Sequence, residues 1–154
     1  MGIPTRALVL AAALLVAGSC GKAATREAAA PAASGPPHGG RAIELGPAER
    51  AELVVDETGM IVVRLYDGSW RLLDPAGKSV RVEIETPDHA SIDIATEAMG
   101  TGSAAHFMAP MDKAVVAHVR ETGSYVATVR AVIDGRHLQG SATVQGLATG
   151  GQGM

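Results

Sequence analysis

The sequence predicts an all-β domain, an antiparallel β-sandwich of immunoglobulin-like type with seven to eight strands, carried on an N-terminal tether. Three observations point there. Apolar and polar residues alternate with period two through most of residues 41–145. Turn sequences rich in Gly, Pro and Asp break that alternation at short intervals. Helical periodicity is almost absent. A single domain of this length can bury a modest core without disulfides. A small closed barrel is the other way to pair the same strands.

The strands follow in order. "AELVVDE" puts Ala51, Leu53 and Val55 on one face, and "MIVVRLYD" puts Ile61, Val63 and Leu65 inward with Val62, Arg64 and Tyr66 outward. Glu57-Thr58-Gly59 turns between them, and Asp67-Gly68-Ser69 and Asp74-Pro75-Ala76-Gly77 turn after them. "SVRVEIET" alternates Val80, Val82 and Ile84 with Arg81, Glu83 and Glu85, and after Pro87-Asp88 "SIDIATEA" supplies Ile92 and Ile94. "PMDKAVVAHVRET" has no strand alternation, follows Pro110 and offers Asp112 as an N-cap, so it predicts a short helix near 111–119. The last element is a hairpin. Asp134-Gly135 as its two-residue loop sets Ile133 against Arg136, Val132 against His137, Val129 against Gly140 and Tyr125 against Val144. That register collects Tyr125, Ala127, Val129, Ala131, Ile133 and Leu138 on one face and Thr128, Arg130, His137 and Gln139 on the other.

Ahead of the domain, residues 1–6 carry one positive charge, 7–17 are an unbroken apolar run, and Gly18 and Ser19 are small. This is the layout of a secretory signal peptide over 1–19, with a core too short to span a bilayer. Residues 20–40 hold the one cysteine, Cys20, and then an Ala/Pro/Gly-dominated stretch that cannot bury enough surface to fold, hence a disordered linker. Residues 41–145 form the β-domain, and 146–154 are expected to be a flexible tail. In an exported chain one cysteine cannot form an internal disulfide.

Removing Arg6 with the signal leaves 12 basic against 16 acidic residues, a net charge of −4, and aromatics are only 3% of the chain. Nucleic-acid binding needs basic patches and stacking faces, so that class is excluded, as is an anionic membrane surface gripped by the folded part. There is no phosphate loop, CxxC, HExxH or GxSxG elbow. Glu83 and Glu85 share a solvated strand face, and nothing sets a base beside a nucleophile. The expectation is no enzyme and no catalytic cofactor.

One local cluster is chemically distinctive. In "AHFMAPM", His106 and Met108 project to one side of a strand when Phe107 points inward, with Met111 just beyond Pro110 and Met99 upstream. Imidazole and thioether donors suit copper, Cu(I) above all. The plainer reading makes Met108 a gap-filler and His106 a surface residue. His38 in "PPHGG" would be a loose ligand at best. His89, His118 and His137 read as solvated surface histidines.

Two resemblances add to this. Ala17-Gly18-Ser19-Cys20 resembles the bacterial lipobox, with Ala17 where the family more often has Leu. It implies that the Cys20 sulfur is lipidated and that Cys20 becomes the first mature residue. Acyl chains such as palmitate, at roughly 0.8 kcal/mol per buried CH₂, then hold the protein on a membrane. Gly21, where the family uses Asp for inner-membrane retention, implies the inner leaflet of the outer membrane, facing the periplasm. The stretches "HGGRAIELG", "AELVVDETGMIVVRLYD", "RLLDPAGKSVRVEI", "SAAHF" and "DGRHLQG" resemble small envelope domains that accompany bacterial heavy-metal efflux systems. On that resemblance His38 and His106 fall at positions with a metal-related role, and no catalysis is implied. The functional expectation is a lipid-anchored, non-enzymatic binding or adaptor module of the envelope, with a protein partner or small ligand. The alternative is a metal-binding accessory of copper or heavy-metal homeostasis.

Overall fold

The computed structural model describes residues 35–147. The expected signal peptide, Cys20, the linker up to residue 34 and the tail from 148 onward lie outside the described residues.

Nine strands and one helix are present among the described residues: β1 (Arg41–Glu44), β2 (Glu49–Val55), β3 (Met60–Asp67), β4 (Ser79–Glu85), β5 (Ser91–Ala95), β6 (Glu97–Met99), β7 (His106–Pro110), α1 (Lys113–Thr122), β8 (Ser124–Ile133) and β9 (Arg136–Gln145). They build two antiparallel sheets, one in the order β1-β2-β3-β7-β6 and the other β5-β4-β8-β9. The architecture is the expected β-sandwich rather than a barrel. The strand count exceeds the expected seven to eight because β1 and β6 carry too little pattern: β1 buries only Ile43 within its four residues, and all three residues of β6 are exposed.

Alternation places one row of each strand in the core. Ala51, Leu53, Val55, Ile61, Val63, Leu65 and Phe107 come from the first sheet, and Val80, Val82, Ile84, Tyr125, Ala127, Val129, Ala131 and Ile133 from the second. Each fully buried aliphatic side chain contributes about 1.5–3 kcal/mol relative to exposure. The C-terminal hairpin has the register the Asp134-Gly135 loop dictates, from Ile133 opposite Arg136 to Tyr125 opposite Val144. Asp134 and Gly135 both have positive φ, the conformation such a loop requires.

Helix α1 carries the chain from the first sheet to the second. Asp112 caps it by accepting from the Ala114 N–H at 2.7 Å, and Gly123 ends it in the left-handed region. It starts two residues later than expected because Pro110 still belongs to β7 and Asp112 is the cap. Val115, Val116 and Val119 face the core. Val116 lies so close to Gly59 that a β-carbon there would sit 2.2 Å from its Cγ2. The chain changes sheets twice before that helix, from β3 to β4 and again at Thr96, between β5 and β6, where the Thr96 hydroxyl donates to the Val80 carbonyl at 2.7 Å. β1 and β9 meet where Gly140 passes the Glu44 carbonyl too closely to admit a side chain.

Candidate functional site

The outer face of the five-stranded sheet carries the residues that alternation turns away from the core. On β2 and β3 these are Glu52, Val54, Met60, Val62, Arg64 and Tyr66, and on β7 and β6 they are His106, Met108, Glu97 and Met99. An outward row should be wet. Two of its members are not: the Glu52 side chain has 0% exposure and Tyr66 2%.

The residues just before β1 cover them. The His38 and Gly40 backbone N–H groups donate to Glu52 Oε1 at 2.8 and 2.9 Å. The Tyr66 hydroxyl donates to Oε2 at 2.8 Å, and His38 Nδ1 lies 3.0 Å from the same oxygen. Gly39 is left-handed at φ 72°, and a β-carbon on Gly40 would come within 2.7 Å of Glu52 Cγ and Val54 Cγ2. The local sequence His-Gly-Gly therefore has a physical role: a ring to pair, a turn, and a bare backbone to lie on the sheet. His38 was expected to sit in a mobile linker as a loose ligand. It is instead fixed on Glu52, and the hydrogen-bonded chain starts ahead of Arg41. Burial raises the Glu52 pKa, but the hydrogen bonds from Gly40, Tyr66 and His38 together outweigh it and hold the carboxylate below its ordinary value. Burial, reinforced by the hydrogen bond to Glu52, pushes the Tyr66 phenol up. The far end of this patch is closed by Trp70, edge-on to Tyr66 at 5.3 Å with the Arg50 guanidinium 5.4 Å over its ring. Trp70 holds φ 59°, a costly conformation for an aromatic residue, at the tip of the Asp67 turn.

The second half of the same face holds the soft donors. Phe107 is buried, so His106 and Met108 point outward as expected. Met99 is the direct cross-strand partner of His106, and Glu97 that of Met108. Met60, Met99 and Met108, with Glu97 and Pro110, line a cavity of about 290 Å³. Met111 does not join them: it is 6% exposed and packed in the core with Val115 and Val116, because the chain turns into the helix cap immediately after Pro110. Nor does His38, which is held by Glu52. Met60 is the member the sequence reading missed. Its outward parity with Val62 was visible, but its proximity to Met108 depends on the pairing of β3 with β7.

His106 Nδ1 lies 2.7 Å from the Ala104 carbonyl. A carbonyl can only accept, so Nδ1 carries the proton and Nε2 of the neutral ring keeps its lone pair.

The other histidines have structural contacts. His118 Nε2 meets Asp88 at 2.9 Å, which raises the imidazole pKa. Asp88 is held down to about 2, first by the Thr86 hydroxyl and then by His118. His89 contacts Glu85 at 3.3 Å. His137 stands opposite Val132 on the outer face of the other sheet, beside a cavity of about 420 Å³ that Arg81 and Arg130 also line. Both arginines are already paired, Arg81 with Asp93 and Arg130 with Glu83.

Comparison with protein-family models, with curated proteins and with solved structures gives no match.

Proposed function

We propose that this chain is a lipid-anchored, non-catalytic binding module of the bacterial cell envelope, tethered through Cys20 to the inner leaflet of the outer membrane and facing the periplasm. The anchor rests on the signal-like residues 1–19 and the lipobox-like Ala17-Gly18-Ser19-Cys20. The observation that carries the binding reading is the uncovered part of the five-stranded sheet's outer face. There Met60, Val62 and Met108 are half-buried against one another and Met99 is 44% exposed, beside a region that the chain itself covers. Support for a non-catalytic reading comes from the acid–base groups: Glu52, Asp88 and His118 are each engaged in contacts that hold the fold.

The test has two parts in a two-membrane bacterium expressing the full chain. Labelled palmitate should enter the protein, and the protein should fractionate with the outer membrane; Cys20→Ser should abolish both. A Cys20→Ser chain that keeps its label overturns the anchor. Photo-crosslinkers placed at Val62 and Met60 should then trap a ligand or partner that crosslinkers at Gln139 and Ser141 do not. Equal adducts from both faces would sink the choice of surface.

A second reading, a metal-binding accessory of envelope copper or heavy-metal handling, is favoured by the His106–Ala104 hydrogen bond. It leaves the imidazole in the tautomer that ligates, next to a thioether.

A further inference from the structure

We infer that the uncovered part of the five-stranded sheet's outer face binds a second copy of this chain, in a two-fold dimer in which Arg64 of each copy meets the partner's Glu97. The inference rests on the binding-surface reading above and gives that surface its occupant.

The first support is a cation and an anion that the single chain leaves apart. Arg64 stands on β3 opposite Glu52, and Glu97 on the edge strand β6 opposite Met108. Neither makes a salt bridge among the described residues. Continuing the β3–β7 register by one residue sets Arg64 opposite His106. Two strand spacings and one step of two residues then separate Arg64 from Glu97, about 12 Å between α-carbons. Arg64 is half-buried with no hydrogen-bond partner at its buried Nε, so a carboxylate arriving from outside meets the outer guanidinium nitrogens. A face with one unmatched cation and one unmatched anion complements a rotated copy of itself, because an isologous contact makes every pairing twice.

The second support is where that one pairing puts the other side chains. The two-fold axis that carries Arg64 onto the partner's Glu97 passes midway between them, through β7 between His106 and Met108. The same rotation lays Met99 over the partner's Val62 and Met108 over the partner's His106. Met99 is 44% exposed, and Val62 and Met108 are half-buried, so apolar surface meets apolar surface at the centre. A thioether against an imidazole ring is itself a favourable contact. The cavity of about 290 Å³ beside Glu97 gives the partner's Arg64 side chain its room.

The third support is what lies around the contact. Residues 38–40 cover the β2 side of the face, and the rotation sets the partner's cover along the β6 edge, at the rim. The outer face of the four-stranded sheet offers a second copy nothing to complete, since Arg81 already holds Asp93 and Arg130 holds Glu83. A contact built on β3, β7 and β6 is small, at or below about 1,200 Å² in total. The dimer therefore depends on local concentration, which anchorage of both copies to one membrane raises.

The experiment uses the full chain in a two-membrane bacterium, with a photo-crosslinker at Val62. The adduct should have twice the mass of the chain and join position 62 to Met99 or its neighbours on β6. Glu97→Arg sets two like-charge pairs across the contact and should lower the yield about tenfold or more, and Arg64→Glu should do the same. The two reversed chains expressed together should recover most of the adduct, because only the mixed dimer then carries two opposite-charge pairs. A role for either residue within its own chain alone gives no such recovery. Should Arg64→Glu fail to accumulate, Arg64→Gln expressed with Glu97→Arg should still exceed Glu97→Arg alone. The dimer is overturned if the adduct never reaches twice the chain mass, if it maps away from β6 and β7, or if the mixed chains give no more than either alone. An adduct of position 62 with a different molecule, absent from crosslinkers at Gln139 and Ser141, keeps the binding surface and overturns the second copy alone. Dimer adducts in equal yield from Gln139 overturn the surface as well.

Discussion

On the outer face of the four-stranded sheet, Arg81 meets Asp93 and Arg130 meets Glu83, all within reach of solvent, and Thr128 hydrogen-bonds Ser141 from β8 to β9. The outer face of the five-stranded sheet is built from the same period-two alternation. There Glu52 is closed off from water by backbone N–H groups and a phenol, and three methionines stand uncovered beside it. The first face matches charge with charge across neighbouring strands, which keeps it soluble and adds little stability. The second is part covered and part bare. An outward position in a strand is therefore no guarantee of a solvated one; what lies over the sheet decides.

The sharpest way to break the contrast is at Glu52. Glu52→Ala removes the acceptor for two backbone N–H groups and the Tyr66 hydroxyl. Charge-assisted bonds of this kind contribute about 1.5–3 kcal/mol each, moderated because residues 38–40 can lift away and be hydrated. The expected loss is about 3 kcal/mol in urea unfolding followed by Trp70 fluorescence, the chain's one tryptophan. A loss below that caused by Arg130→Ala would end the claim that the two faces differ.

Gly40→Ala attacks the same contact from above. Its β-carbon would press on Glu52 Cγ, Val54 Cγ2 and the Leu53 carbonyl, for an expected cost of about 2 kcal/mol. Gly35→Ala, where a β-carbon meets open space, is the control and should be near neutral.

Acid should erase the difference between the faces. The Glu52 pKa is lower in the folded chain than in the unfolded one, so its contribution is complete above its ordinary value of 4.5 and fades as the pH falls through the folded value. The stability gap between the parent and Glu52→Gln should narrow as the pH falls below 4.5. A gap that stays constant down to acid unfolding would mean the carboxylate stabilises nothing as an anion.

On the charged face, Arg130→Ala should cost less than about 1 kcal/mol, the range of an exposed ion pair. The smallest effect is expected at His118. Its pKa is raised by Asp88, so that pair stabilises below the ordinary imidazole value and its contribution disappears as the pH rises through the folded value. NMR titration of the ring should show the raised midpoint, and Asp88→Asn should return it to normal.

How much of this was legible in the sequence follows from the range of each interaction. The C-terminal hairpin was readable residue by residue, because an Asp-Gly loop and a two-residue period each fix the same register. The core rows of β2, β3 and β4 were readable for the same reason, and so was Asp112 as a cap. β6 was not, since three exposed residues form no pattern. Met111 looked like a ligand by its closeness in sequence to Met108, but a tight turn into the helix put it on the other side of the sheet. Glu52 went unremarked in "AELVVDE", where parity only turns it outward; its partner lies 14 residues away, and no local pattern announces a cover. Met60 joins Met99 and Met108 only through the pairing of β3 with β7.

The grip of residues 38–40 on Glu52 also determines how a tether would pull. In a chain anchored at Cys20, tension arriving along residues 21–37 would meet the domain at β2, the second strand of its sheet, before it reached β1 at the edge. An edge strand pulled from its end opens one hydrogen bond at a time, like a zipper. Here the Glu52 contact stands ahead of that zipper. Under load it would yield first and lengthen the leash by a few residues, leaving the sandwich closed.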